Sequence, residues 1–235
     1  MDRALPPPLM GLTPGTLREG AGFPGVEAAL VSAVQAAARA GLKGLMLREP
    51  HLEDASFLRL ARSIRAAFDG WLCIHDRVHL VACVGAQGAH ITDRSIAPQA
   101  AREVLGPGVC LSISTHAGCD APDPSCVDLA LHAPVFKPHS KMSGGNELGR
   151  EGLIEAVGRF DVPVFALGGV DPRRLVSLKQ SGIMGCAAIG AIWGTDATPI
   201  DGLRSSALLD IEGIETRTGA LVDATAACMK TGEGC

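Results

Sequence analysis

The stretch Cys110-Leu-Ser-Ile-Ser-Thr-His116 places two hydroxyls and an imidazole at alternate positions. In an extended chain alternate residues share a face, so Ser112, Ser114 and His116 are expected to line one side of a strand. An imidazole so placed can take and return a proton near neutral pH; a hydrogen-bonded structural histidine is the alternative reading. A second chemistry is suggested by glycines. Gly168-Gly169 and Gly190 each follow a short apolar run. Bare N–H groups at such ends, with helix N-termini behind them, suit a phosphate, whereas the glycine pair alone would also make a tight turn. The loop Lys137–Gly149 (KPHSKMSGGNELG) is basic, hydroxylated and glycine-rich, which suits a flap over an anion. Further polar groups end other apolar runs: Arg48-Glu49, His75-Asp76, and His90 with Thr92 and Asp93. The histidines show neither H-x-H nor H-E-x-x-H spacing, so a zinc centre is not the first reading.

These groups need elements to carry them. Short apolar runs predict strands at Leu9–Thr13, Gly44–Glu49, Trp71–Asp76, Gly88–Thr92, Cys110–His116, Asp128–Phe136, Pro163–Gly169 and Met184–Ile192. Amphipathic segments between them predict helices over Val26–Ala40, Asp54–Phe68, Arg77–Val84, Ala97–Leu105, Arg150–Phe160 and Pro172–Gln180. The last of these opens with Asp171 as N-cap and Pro172 in the first turn. Ala117–Ser125 lacks a helical period and reads as a loop. Later helices are expected at Ile200–Leu209 and around Gly219–Met229. Strands alternating with helices in this order predict a single (β/α)8 barrel over residues 1–200, with residues 201–235 as a helical tail on it. In such a barrel the polar strand ends gather on one face, the active face.

Composition bounds the rest. The 235 residues suit one barrel of this type, and 47% apolar with 20% charged residues suits a globular chain. A net charge of −4 without a basic run leaves no footprint for nucleic acid. No apolar run is long enough for a membrane span and the N-terminus has no secretory core, so a cytoplasmic protein is the expectation. Of eight cysteines, none forms C-x-x-C, and only Cys119 and Cys126 are close enough in a polar stretch to suggest a pair.

Five segments, GLKGLMLREP, CIHDRVHLVACVGAQGAHI, LSISTH, APVFKPHSK…LGREGL and FALGGVDPRRL…SGIMGCAAIGAI, resemble the thiamine phosphate synthase/TenI superfamily from about Leu42 to Ile192. In the synthases a pyrimidine pyrophosphate ionises with help from Mg²⁺ and basic side chains, and the nitrogen of a thiazole phosphate captures the cation. The resemblance implies Arg48 as a site arginine, Asp76 as the first Mg²⁺ aspartate and Ser114 as a pyrophosphate-side serine. It also implies Lys141 as the flap lysine with Ser140 beside it, and Gly168, Gly169 and Ile189 as the thiazole-phosphate cradle. The chain departs from the family pattern at Met46 (a glutamine), Pro50 (a lysine), His75 (an asparagine), Ser95 (the second Mg²⁺ aspartate), Pro138 (a threonine) and Gly190 (a serine). Asp93 is the nearest replacement carboxylate.

Losses on the pyrophosphate side with a retained phosphate side are similar to the TenI branch, the thiazole tautomerases. That likeness implies His116 as acid/base. The expectation is therefore a tautomerase without cofactor, with His116, Ser114 and Lys141 catalytic and Arg48, Ser140, Gly168, Gly169, Ile189 and Gly190 binding a small phosphorylated heterocycle. The alternative is a divergent Mg²⁺-dependent synthase using Asp76, Arg48 and Lys141. A third reading is a non-catalytic binder of such phosphates. Barrels of this kind often pair as homodimers.

Overall fold

Apolar runs buried on both faces form strands of four to six residues in the computed structural model, which describes residues 3–20, 23–137, 147–194 and 210–230. The strands are β1 (Leu9–Leu12), β2 (Gly44–Leu47), β3 (Trp71–His75), β4 (Gly88–Ile91), β5 (Cys110–Thr115), β6 (Leu129–His132), β7 (Val164–Leu167) and β8 (Gly185–Ala188). Each pairs in parallel with the next, and β8 pairs with β1, so the sheet closes as the predicted eight-stranded barrel. Inward residues Met10, Leu12, Met46, Cys73, Leu129, Leu131, Phe165 and Ala187 fill the bore as a packed core of their own. Outward residues such as Leu45, Leu72, Ala89 and Ala166 pack under the helices.

The helices are α1 (Phe23–Arg39), α2 (Asp54–Ala67), α3 (Val81–Val84), α4 (Pro98–Leu105), α5 (Gly149–Arg159), α6 (Pro172–Leu175), α7 (Gly190–Trp193) and α8 (Ile211–Met229). Asp171 caps α6 as read, accepting from the Arg174 N–H at 2.8 Å. The segment expected as one helix over Arg77–Val84 is a 3-10 turn, Val78–Leu80, followed by α3. No helix joins β5 to β6, in line with the aperiodic Ala117–Ser125. Cys119 and Cys126 are free thiols, so the suspected pair is not formed.

Every strand stops short of its expected C-terminal end, β1, β3, β4 and β5 by a single residue. The ladder runs out there and side chains take over the backbone. Thr13 shows how: its hydroxyl accepts from the Arg48 N–H at 2.8 Å and donates to the Arg48 carbonyl at 3.0 Å. The expected eighth strand, Met184–Ile192, ends at Ala188, and Gly190–Trp193 instead turn into α7. Gly190 thus opens a helical turn rather than closing a strand.

The expected helix at Gly219 begins eight residues earlier, at Ile211, where Asp210 accepts from the Gly213 N–H at 3.0 Å. Gly213 and the polar residues after it hide this start in the sequence, because glycine is a poor helix former. Packing overrides it: α8 lies on α1, α6 and α7 and buries Ile214, Thr218 and Leu221. Arg217 donates to the Ile192 carbonyl at 3.1 Å and so ties α8 to the turn after β8. The helix expected at Ile200–Leu209 lies outside the described residues. Leu221 is fully buried, and Leu221→Ala is expected to cost about 2–5 kcal/mol in urea unfolding. An unchanged midpoint would show that α8 is not part of the folded barrel.

Candidate active site

Strand register places the polar ends of β3, β4 and β5 side by side. His75 pairs with His90, and His90 with Ser112, in neighbouring ladders. The His90 ring is buried and bridges two hydroxyls, with Nδ1 2.9 Å from Ser112 Oγ and Nε2 2.9 Å from Ser114 Oγ. The His75 ring lies 5.3 Å from it, centroid to centroid. Burial, then the nearby Arg48 charge, lowers the His75 pKa to about 4. Burial, then His75 and Arg48, pushes His90 well down. Both imidazoles are therefore neutral at pH 7.

His116 is placed differently from the expectation. The strand ends at Thr115, so the alternation that carries Ser112 and Ser114 inward does not extend to it. Its exposed ring meets the carbonyl of Ala133 through Nδ1 at 2.7 Å, next in sequence to His132, whose ring packs edge-on against Phe160. The imidazole that meets both serines is His90. The sequence noted His90 at a strand end but gave it no partner, because pairing register is not visible in one strand.

Arg48 follows β2 at the same rim. Among the described residues its guanidinium forms no ion pair and donates no hydrogen bond, although the residue is half-buried. Glu49, next in sequence, is buried and turned away. Its two oxygens accept from the N–H groups of Gly15 (3.1 Å) and Leu17 (2.9 Å) and so fasten the β1–α1 loop over the rim. Burial raises its pKa against the lowering effect of these bonds.

Asp76 has left-handed backbone, φ 67°, which aspartate tolerates better than bulkier residues. Its Oδ1 accepts from the Ser95 hydroxyl at 2.6 Å, and its other oxygen has no partner among the described residues. Ser95, standing where the resemblance expects a second aspartate, therefore orients the first. Mg²⁺ commonly leans on one or two carboxylates, waters and substrate phosphates, and Asp76 with one open oxygen fits that donor set. No cluster of three or more His, Cys, Asp or Glu side chains suited to a metal occurs among the described residues, so a zinc-type cage is absent from them.

Across the mouth, Gly168 (φ 97°) and Gly169 (φ 61°) leave β7 in conformations that favour glycine. They also admit a neighbour: a Cβ on Gly169 would lie 2.8 Å from the Phe136 and Lys137 carbonyls. Their N–H groups donate to no acceptor among the described residues. Ile189 and Gly190 continue β8 beside them, because Leu167 pairs with Ala187. The first N–H groups of α7 have no intrahelical acceptor, and the space that a Cβ on Gly190 would enter is open. Arg174, which the sequence reading did not single out, donates to the carbonyls of Gly169 (2.8 Å) and Lys137 (3.2 Å) and fastens this corner. Ser140 and Lys141 lie outside the described residues.

Residues 21–192 match the family model for thiamine monophosphate synthase. A Geobacter sulfurreducens relative is 32% identical over 193 residues, covering 80% of this chain and 89% of its own. A thiamine-phosphate synthase of Archaeoglobus fulgidus is 29% identical over 163 residues, covering 68% and 77%. Among solved structures, thiamine phosphate pyrophosphorylase from Pyrococcus furiosus superposes with a TM-score of 0.68 at 17% identity, covering 94% of this chain and 96% of that one. At that identity the likeness is one of fold.

The neutral histidines make stability depend on pH. The unfolded chain takes up a proton on His75 near pH 6.5, whereas the folded chain resists it down to about 4. The stability this group provides is full above pH 6.5 and is lost as pH falls toward 4, a difference of about 3 kcal/mol. His90 and His132, also lowered, act in the same direction. Urea midpoints are expected to fall between pH 7 and pH 4.5, and His75→Asn is expected to flatten that slope. Equal slopes in the two proteins would contradict the burial of this imidazole.

Proposed function

Because the chain belongs to the thiamine monophosphate synthase family, we propose that it joins a pyrimidine pyrophosphate to a thiazole phosphate at the rim of its barrel. The methylene attached to the pyrimidine ring loses its C–O bond to pyrophosphate, which leaves with that electron pair, and the thiazole nitrogen supplies the electron pair of the new C–N bond. The observation that carries this reading is Arg48, a half-buried guanidinium that makes no ion pair and donates no hydrogen bond among the described residues, the charge of buried Glu49 reaching it only at longer range. A guanidinium without a direct carboxylate contact, beside two neutral imidazoles, is a site for an anion.

The roles follow from position. Arg48 faces the pyrophosphate and steadies the charge that grows as it leaves. Asp76, oriented by Ser95, would hold Mg²⁺, which when bound draws charge from the departing pyrophosphate. The N–H groups of Gly168 and Gly169, without acceptors among the described residues, and those that open α7 at Gly190 beside Ile189 receive the phosphate of the thiazole. Lys141 and Ser140 are assigned to the pyrophosphate side by their place in the sequence pattern alone.

Three observations favour this over the tautomerase expected from the sequence. The relatives named above carry synthase names, and Asp76, dispensable to a tautomerase, is held ready by a hydrogen bond. His116, the expected tautomerase base, does not contact the serine pair.

Purified protein given 4-amino-5-hydroxymethyl-2-methylpyrimidine pyrophosphate, thiazole phosphate and Mg²⁺ is expected to form thiamine phosphate. Arg48→Ala should lower kcat/KM by about 100-fold, the scale of losing a charged hydrogen bond in the transition state. No thiamine phosphate, with turnover of a thiazole carboxylate phosphate tautomer that needs His116, would reverse the assignment. Gly190→Ala adds a methyl where no atom of the described residues lies within 4 Å, so it should leave Tm unchanged. It should raise KM for the thiazole phosphate by about tenfold. An unaffected KM would remove Gly190 from the cradle.

A further inference from the structure

Gly15 and Leu17 point two N–H groups at one side chain. Glu49, which is buried, accepts from Gly15 through Oε1 at 3.1 Å and from Leu17 through Oε2 at 2.9 Å. A carboxylate accepts through both of its end atoms, whereas an amide would set its NH₂ against one of the two N–H groups. The Thr13 hydroxyl meets the same carboxylate and also bonds the Arg48 N–H and carbonyl. The Arg48 guanidinium lies against the loop so held. Gly15 has left-handed backbone, φ 76°, and a Cβ on it would overlap Arg48 Nη1 and stand 3.3 Å from the Arg48 carbonyl. Pro50 Cδ would be 3.4 Å from the same Cβ. The loop is therefore one wall of the space that the guanidinium occupies. Glu49 holds that wall and forms no ion pair with Arg48.

We propose that Glu49 is a positioning residue for anion binding: through the N–H groups of Gly15 and Leu17 it fixes the loop that confines Arg48, and so aims the guanidinium at the pyrophosphate. The inference rests on the reading of Arg48 as the cation that takes the pyrophosphate. An arginine has many rotamers, and one that meets its ligand unconfined loses that freedom on binding. Thr13 fixes the backbone end of Arg48, and the loop at Gly15 limits the far end. A carboxylate in direct contact would also orient the guanidinium, but it would occupy the donors and offset the charge that the ligand needs. Glu49 avoids this by acting through main-chain N–H groups. Both of its oxygens are engaged there, so it is not itself a ligand group. The absence of a side chain at Gly15 is the other half of the device, because any Cβ would push Nη1 aside.

Calorimetric binding of inorganic pyrophosphate with Mg²⁺, and separately of the thiazole phosphate, tests this in the full chain. Gly15→Ala and Glu49→Gln are each expected to weaken pyrophosphate binding by about tenfold and to leave thiazole phosphate affinity within about twofold. Glu49→Asp, one methylene shorter, keeps the charge but cannot reach both N–H groups; it should show the same selective loss and serves if Glu49→Gln does not fold. In an Arg48→Ala background, Gly15→Ala and the Glu49 variants should weaken pyrophosphate binding no further than about twofold, because no guanidinium is left to misplace. A merely structural role would give the same loss in both backgrounds, and that result would overturn the proposal. Equal weakening of both ligands would overturn it as well. If Arg48→Ala weakens pyrophosphate binding while Gly15→Ala and the Glu49 variants do not, the inference fails alone. If Arg48→Ala leaves pyrophosphate affinity intact, the reading of Arg48 as the pyrophosphate cation fails, and the inference with it.

Discussion

Parallel strands closed on themselves engage their interior N–H and C=O groups with neighbours, and leave donors over only where the ladder stops. In this barrel the ladder stops unevenly around the C-terminal rim. At β7 and β8 it ends on Leu167 and Ala187, and the chain continues through glycines whose N–H groups find no acceptor among the described residues. At β2 to β5 side chains take over: Thr13 on the Arg48 backbone, Ser95 on Asp76, and two serines on His90. The rim therefore has a half made of backbone donors and a half made of side chains. The contrast follows from where pairing ends, before any ligand is considered.

The electrostatics of the side-chain half are set by what is left uncharged. Arg48 carries a positive charge next to His75 and His90, and together with burial it keeps both neutral. Protonating either ring would add a second buried cation without a partner, a costly arrangement. The departures from the family pattern have a similar logic. Pro50 removes one positive charge and Ser95 removes one negative charge, so the pair of changes leaves the local balance as it was. Ser95 still reaches Asp76. On the proposed reading, Arg48 and the Asp76 oxygen without a partner among the described residues are what would take a magnesium-bound pyrophosphate.

Much of the barrel was legible in the chain itself. Eight apolar runs mapped onto eight strands, and the aperiodic Ala117–Ser125 did lack a helix, because burial on both faces writes itself directly into composition. What periodicity could not supply was strand ends and partners. The rule of two carried His116 onto the serine face, but the strand stops one residue before it. It also could not show that His90 and Ser112 sit in register across β4 and β5, which is a property of pairing. Gly190 was read as a strand end for the same reason. The start of α8 was hidden by Gly213, and only its packing on α1, α6 and α7 reveals it. The glycines at the ends of β7 and β8 were legible because a bare amide needs glycine in the chain, while Arg174, which fastens their corner through carbonyls, left no local signal.

The central proposal is that one mouth holds two separate anion sites, charge-based at Arg48 and amide-based at Gly168 to Gly190. Calorimetric titration of the thiazole phosphate into protein already saturated with magnesium pyrophosphate tests it most directly. Undiminished stoichiometry and affinity for the second ligand are the predicted result. Displacement of the first by the second would contradict two sites and leave a single shared one.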